Sequence, residues 1–242
     1  MYGGDGSGGA ALAPRGYDGG AAARLWPPQA TSAREPPVTE LLTTPSAAVD
    51  QDHLVVLHGA TWADYQRLLE LRGEGSTPRL TYLEGRLELM SPGRRHELVA
   101  SMIGRLVEAW CLETGVGITP YGRWTLERKE LERGCEPDEC YVLGAEEEPA
   151  LPDLAIEVIV TSGGLSKLDV YRPLGVREVW FWRAGAISLH ALRGDRYEAI
   201  PRSEVLAGLD LDLLLRFVDV RPMTRAVEEY RAALRARAAG AP

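Results

Sequence analysis

A nine-residue apolar stretch with one acidic residue near its centre constrains the fold of this chain more than any other feature. Residues 152–160, Pro-Asp-Leu-Ala-Ile-Glu-Val-Ile-Val, are rich in β-branched side chains, which predicts a β-strand. Because strand side chains alternate between faces, one face is aliphatic and consists of Leu154, Ile156, Val158 and Val160. Glu157 lies on the other face, beside the small Ala155. Burying its carboxylate is costly unless it is paired or metal-bound, so Glu157 indicates either a functional site or a buried salt bridge.

A metal at Glu157 would need a second acid from a neighbouring strand. Asp153 shares its strand face, but two residues four apart are separated by about 13 Å in a strand. Asp138 opens the preceding apolar segment in a Glu136-Pro137-Asp138 sequence and is the obvious candidate. The alternative for Asp138 is a turn residue beside proline. Asp153, which follows Pro152, has the same alternative, with at most a supporting role in the site.

A single lysine follows the Glu157 strand closely. Gly163 and Gly164 predict a turn that leads into a helix, and Lys167 lies in the first part of that helix. An amine near the end of the strand could orient a water molecule and stabilise a pentavalent phosphorane. The alternative is an ordinary solvated lysine on a helix surface.

Two further residues carry weaker signals. His96 follows Arg94 and Arg95 at the start of a predicted helix, where the helix N-terminus would favour a phosphate. An exposed first turn explains the same residues equally well. Glu84, in a Glu-Gly hairpin turn, is either solvated or able to reach a metal from the edge of the sheet.

The order of elements predicts an α/β (α+β) fold in which helices flank one mixed sheet. Residues 1–50 are rich in Gly, Ala and Pro and predict a disordered tail, followed by a single domain over residues 51–242. Helices are predicted over residues 62–72, 94–113 and 221–237, with a short helical piece from Ser203. The apolar stripe of the last helix could pack on the domain or on a partner, so a homodimer is one interpretation.

Composition narrows the class of protein. The formal net charge of −8 argues against a protein that coats nucleic acid nonspecifically, although an enzyme with a local basic cleft remains compatible with it. Cys111, Cys135 and Cys140 lack zinc-knuckle spacing and are interpreted as buried reduced thiols, which fits a cytoplasmic protein. The sequence lacks a run apolar enough for a membrane span, and its N-terminus does not resemble a signal peptide.

Six sequence pieces, in order, resemble one known family. They are residues 82–92 (Tyr-Leu-Glu-Gly-Arg-Leu-Glu-Leu-Met-Ser-Pro), His96, residues 136–138, residues 152–158, Lys167 with Tyr171, and residues 175–180 (Gly-Val-Arg-Glu-Val-Trp). Together they resemble the Uma-two family, a bacterial family described as restriction endonucleases within the PD-(D/E)XK nuclease superfamily. The resemblance covers roughly residues 55 to 200.

The resemblance implies a restriction-endonuclease-like core and a metal-dependent endonuclease that hydrolyses DNA with Mg²⁺ or Mn²⁺. It implies that Asp138 and Glu157 are the metal-binding acids, with Glu84, His96, Asp153 and Tyr171 in supporting roles. The residue two past Glu157 is Ile159 rather than the lysine of the superfamily pattern, so Lys167 is expected to replace it. The alternative function is a catalytically inactive module that binds nucleic acid or a protein partner through the same cleft.

Overall fold

The computed structural model of the chain describes residues 51–145, 147–161 and 164–240. The tail predicted over residues 1–50 lies outside the described residues, as do Ser162 and Gly163 of the predicted glycine turn.

The first sheet of the described region has five strands, and all of its pairings are antiparallel. In spatial order the strands are β1 (His53–His58), β3 (Arg86–Ser91), β2 (Arg79–Leu83), β6 (Arg133–Cys135) and β5 (Leu126–Arg128). The hairpin predicted between β2 and β3 is confirmed. Glu84 and Gly85 have φ angles of 43° and 81°, as a two-residue type I′ turn requires.

The two faces of this sheet differ in polarity. Helix α1 (Trp62–Arg72) begins with a capping box between Thr61 and Asp64 and covers one face, where an apolar cluster forms. That cluster contains Trp62, Tyr65, Leu80, Tyr82 and Leu87. Because strand side chains alternate, the opposite face of β2 and β3 carries Arg79, Thr81 and Glu88, and all three are buried. A buried face with this much polarity needs partners from elsewhere in the fold.

The second sheet, as described, has six strands and is mixed. In spatial order they are β11 (Arg196–Ile200), β10 (Ala186–Arg193), β9 (Glu178–Arg183), β8 (Leu154–Ile159), β7 (Glu139–Leu143) and β4 (Ile118–Pro120). Strands β8 and β9 are parallel, and the crossover between them contains helix α3 (Lys167–Leu174), capped by Ser166. The fold is therefore of the mixed α+β class, as predicted.

The alternation predicted for β8 is confirmed. Leu154, Ile156 and Val158 belong to the largest core cluster, whereas Ala155 belongs to the cluster beneath α3. The largest cluster is completed by three helices, namely α2 (Arg94–Thr114), α4 (Leu211–Val218) and α5 (Met223–Gly240). Tyr230 of α5 is fully buried there, so the last helix packs on the rest of its own chain.

Two predictions of local structure are wrong, and two elements, β1 and α4, were not predicted. The strands form two sheets rather than one. The helical piece expected from Ser203 is a turn in which the Ser203 hydroxyl accepts the amide hydrogen of Leu206. The Glu178 carboxylate accepts the amide hydrogens of Glu204 and Val205, as it could at a helix start, but Gly208 has a φ of 94° and ends the turn before a helix forms. The next helix begins only after the cap Asp210.

The three cysteines are free and buried, which confirms the interpretation of buried thiols. Among the described helices, none combines the length and apolarity needed to cross a lipid bilayer.

Close packing against Gly134 of β6 leaves no room for a side chain at this position. A Cβ atom at this position would overlap the ring of Tyr65, which is fully buried on α1. We expect Gly134→Ala to lower the free energy of unfolding by about 1–3 kcal/mol, the usual cost of overpacking. Unfolding in denaturant measures the free energy of unfolding of the variant and of the wild type. Gly117→Ala is the matched control, because its Cβ would meet only the Gly144 Cα at 3.7 Å; an equal loss in both variants would contradict the packing explanation.

Candidate active site

A cavity of about 470 Å³ lies where the two sheets face each other. Its walls include residues from β1, β3, β8, β9 and β10 and from the starts of α2 and α3. The ionisable side chains in its walls are Asp52, Glu88, His96, Glu157, Lys167, Arg183 and His190. Apolar side chains, among them Leu54, Met90 and Phe181, make up much of the rest. A cavity that combines apolar walls with convergent polar groups is the usual form of a ligand or active site.

Glu157 and Lys167, two of the three residues predicted to form a shared site, lie close together in this cavity. The Lys167 Nζ lies 3.6 Å from Glu157 Oε1 and donates a hydrogen bond of 2.9 Å to Thr81 Oγ1. The Tyr171 hydroxyl donates to the same Glu157 oxygen at 2.5 Å. Lys167 and Tyr171 are four residues apart on α3, so both side chains reach one carboxylate from a single helix face.

The surroundings of Lys167 keep it a cation. Burial lowers the pKa of its amine, but the carboxylates of Glu157 and Glu88 raise it by more, so the pKa lies above the ordinary value of 10.5. The hydroxyl of Tyr171 remains protonated, because burial and the nearby Glu157 raise its pKa well above the ordinary value. At neutral pH both groups therefore act as hydrogen-bond donors rather than as bases.

Glu88 approaches the cavity from the first sheet. It lies opposite Thr81 in the register of β2 and β3, and only 3% of the residue is exposed. Its Oε2 accepts the amide hydrogen of Leu165 at 2.6 Å. This hydrogen bond ties the segment before α3, and hence Lys167, to the first sheet.

Asp138 forms a second buried network directly behind Glu157. Its Oδ2 accepts the amide hydrogen of Val158 at 2.6 Å and contacts His96 Nε2 at 2.9 Å. The guanidinium of Arg79 forms an ion pair with its other oxygen, and the Asp138 side chain is fully buried. The second ring nitrogen of His96, Nδ1, lies 3.1 Å from Asp52 Oδ2. Asp138 therefore adjoins the Glu157–Val158 peptide, but its carboxylate is not among the groups that line the cavity.

Two of the predicted supporting residues lie elsewhere. Glu84 is 65% exposed by side chain and pairs with Arg133. Asp153 accepts the amide hydrogen of Leu143 and pairs with Arg177, and it thereby links β7, β8 and the start of β9. Neither of these two acids lines the cavity. Of the other predicted site residues, Glu157, Lys167 and Tyr171 lie together, and Asp138 and His96 form the adjoining network.

The thiols near the site are unsuited to bind metal. Burial raises the pKa of Cys135 and of Cys140 to about 12, so both remain protonated at neutral pH. A thiol binds metal as the thiolate.

The oxygen donors in the cavity suit a hard divalent cation that takes only one or two of its ligands from the protein. Among the described residues, no three His, Cys, Asp or Glu side chains are grouped closely enough to hold a metal. Two carboxylates, Glu157 and Glu88, do line the cavity. Their hydrogen bonds with described residues use only Oε1 of Glu157 and Oε2 of Glu88. Mg²⁺ is commonly held by one or two carboxylates together with water and substrate phosphates, and the residues fit that pattern.

Sequence reasoning missed Glu88, Arg79, Thr81 and Asp52. Glu88 had a usable signal, because it stands between Leu87 and Leu89 in a predicted strand, as Glu157 stands between aliphatic residues. Asp52 and Thr81 had none, since an isolated Asp or Thr near a strand has many ordinary explanations.

Comparison with known proteins identifies the family. The Uma2 family model, described as "Putative restriction endonuclease", matches residues 62–222. Among solved structures, a "putative nuclease belonging to DUF820" from Anabaena variabilis ATCC 29413 is similar over 67% of this chain and 96% of that chain, with 12% identity and a TM-score of 0.41. That likeness is too weak to support any conclusion about this chain. Among curated proteins, none matches. Because the Uma2 model matches more than half of its residues, this chain belongs to the Uma2 (Uma-two) family of restriction-endonuclease-type proteins.

Proposed function

We propose that this protein is an endonuclease that hydrolyses phosphodiester bonds of DNA in the cavity between its two sheets, with the help of a divalent metal. The observation that carries the proposal is the pairing of Glu157 with the buried Lys167 in that cavity, at 3.6 Å, in a member of a restriction-endonuclease-type family. A carboxylate and an amine so arranged can act together on one phosphate group.

The metal is proposed to be Mg²⁺ or Mn²⁺. When bound, it would supply positive charge to a phosphoryl oxygen and lower the pKa of a water molecule. The family pattern makes Asp138 and Glu157 its ligands, and the carbonyl of Val158 is a further candidate. Of the two acids, Glu157 is the one that lines the cavity.

The protein's own groups divide the remaining work. Tyr171 donates to Glu157 and holds its carboxylate in one orientation. Thr81 holds the amine of Lys167 from the opposite sheet. As a cation, Lys167 can donate a hydrogen bond to the attacking water and stabilise the negative charge of the phosphorane. In the reaction, the oxygen of water forms a new bond to phosphorus while one bridging phosphorus–oxygen bond breaks. The water loses a proton to solvent, and the leaving oxygen takes up a proton from solvent.

Arg183 is a cation where the cavity opens to solvent, because it lines the cavity and is exposed. Its guanidinium can contact phosphate oxygens beside the scissile bond. His190, on the neighbouring strand β10, also lines the cavity, but burial lowers the pKa of its imidazole below the ordinary value of 6.5, so it is a neutral hydrogen-bonding group at neutral pH.

Removing the Glu157 carboxylate should abolish cleavage. We expect Glu157→Gln and Glu157→Ala to lower the rate of plasmid cleavage in Mg²⁺ or Mn²⁺ by at least about 100-fold, because charge stabilisation at the phosphate is lost. Asp138→Ala should do the same, because the family pattern makes Asp138 a ligand of the metal. Gel assays of plasmid and single-stranded DNA, with and without EDTA, provide the measurement.

Glu70→Gln is the control, since Glu70 is an exposed residue of α1 and should leave cleavage unchanged. Wild-type cleavage rates in both Glu157 variants would refute the proposal. Tight DNA binding by the wild-type protein with no cleavage in either metal would instead support the inactive binding module.

The charge of Lys167, rather than basicity, should matter for cleavage. We expect Lys167→Met to lower the rate by about 100-fold, and Lys167→Arg to retain part of it. Because the pKa of the amine lies above 10.5, the ratio of wild-type to Lys167→Met rates should stay constant between about pH 6 and 9. A ratio that rises with pH over this interval, in rate profiles of both proteins, would show that Lys167 acts as a base.

A further inference from the structure

Phe181 is an aromatic side chain on the cavity wall that the proposed reaction does not use. In the register of the second sheet it lies beside Glu157 of β8 on one side and beside Ser188 of β10 on the other. All three residues line the cavity. Because neighbouring strands are about 4.8 Å apart, a phosphate held at Glu157 would have the Phe181 ring next to it.

The exposure of this row of residues increases from Glu157 outward. Glu157 is 4% exposed, Phe181 is half-buried and Ser188 is exposed. Arg183, two residues after Phe181 and therefore on the same face of β9, is exposed as well. The row thus runs from the buried carboxylate, past one aromatic ring, to a polar and cationic opening.

The cavity walls carry more apolar surface than binding of a phosphate requires. Leu54 and Met90 from the first sheet line the cavity, as do Leu165 and Leu168 from the crossover before β9. Phosphates and hard metal ions are bound by polar groups, so these side chains suit another part of the substrate. The volume of about 470 Å³ is typical of a small-molecule site and far too small for a double helix. The apolar part of a nucleotide is the face of its base.

Polar groups that could bind the edge of a base lie on the same wall. His190 contacts Phe181 with ring centroids 5.5 Å apart and ring planes at 75°, so the two rings are not stacked on each other. A neutral imidazole has one donor and one acceptor nitrogen, and the Ser188 hydroxyl can also donate and accept. An aromatic ring flanked by such groups offers both stacking and hydrogen bonding to a nucleobase.

We propose that this cavity binds one nucleobase of the substrate against Phe181, next to the phosphate that is attacked at Glu157. This proposal rests on the nuclease function proposed above and names the class of DNA on which it acts. In a double helix each base is paired and stacked, so an enzyme that takes a base into a pocket acts on unpaired strands or must extrude the base. The substrate class is therefore DNA with unpaired nucleotides, such as single strands, flaps and frayed ends.

Binding to three probes tests the proposal apart from cleavage. The probes are a fluorescent oligothymidylate, an abasic strand of the same length, and the oligothymidylate paired with oligoadenylate. Fluorescence anisotropy gives their affinities for the full chain, with Ca²⁺ in place of Mg²⁺ as the divalent ion. We expect the wild type to bind the oligothymidylate at least about 10-fold more tightly than either other probe, because only this probe offers unpaired bases for stacking.

Phe181→Leu removes the ring but keeps most of its apolar volume. We expect this variant to bind the oligothymidylate about 10-fold more weakly and the abasic strand within about twofold of the wild type. Phe181→Tyr retains the ring and should bind all three probes like the wild type. The matched control is Phe217→Leu, the same substitution at the other phenylalanine, which is half-buried on α4 against Tyr230. Thermal unfolding of each variant shows whether it is folded, and the comparison of probes with the wild type needs no variant.

Three results would overturn the nucleobase site. They are equal affinities of Phe181→Leu and Phe217→Leu for the oligothymidylate, an equal loss by Phe181→Leu for the abasic strand, and tighter binding or faster cleavage of the duplex by the wild type. If the wild type still cleaves DNA in Mn²⁺, the nuclease proposal stands in each case. A wild-type protein that neither binds nor cleaves any of the probes overturns both proposals.

Discussion

The cost of burying a carboxylate shapes the centre of this molecule. Glu88, Asp138 and Glu157 are each at most 4% exposed, and each is met by donors. Glu157 meets Tyr171 and Lys167, Asp138 meets Arg79, and Glu88 meets the amide of Leu165. Two of these contacts, Asp138 with Arg79 and Glu88 with Leu165, join the first sheet to segments that lead into the second sheet or cross over it. The hydrogen bond from Lys167 to Thr81 is a third such contact. Because each acid needs its partner, the polar contacts fix how the sheets face each other.

The buried charges fall into two groups with different exposure to ligands. The network of Asp52, His96, Asp138 and Arg79 has a fully buried central carboxylate, which is ion-paired with Arg79 and accepts the amide hydrogen of Val158. The group of Glu88, Glu157 and Lys167 borders the cavity and has carboxylate oxygens that described residues leave unused. A buried network of paired groups holds its members in fixed positions, which suits a supporting role. Carboxylates that border the cavity with an unused oxygen can bind a ligand, which suits a direct role in the reaction.

Sequence reasoning succeeded where local signals were strong. The helix over residues 62–72, the Glu84-Gly85 turn and the alternation in β8 are each specified by neighbouring residues alone, and each was observed. It failed at Ser203, where a hydroxyl able to cap a helix is present but the backbone takes a left-handed conformation at Gly208, five residues later. It also failed for β1, whose pairing with β3 depends on a strand some thirty residues away.

The sequence by itself determined that a carboxylate would be buried at Glu157 and that an amine at Lys167 would follow it. It also carried the motifs by which the family is identified. These properties follow from the order of residues along one strand and one helix. Only the tertiary structure decided which other acid shares the cavity, because Glu88 and Asp138 are both distant from Glu157 in sequence. Their exposure depends on which way neighbouring strands face and which cations reach them. Asp138 is fully buried against Arg79, whereas Glu88 lines the cavity.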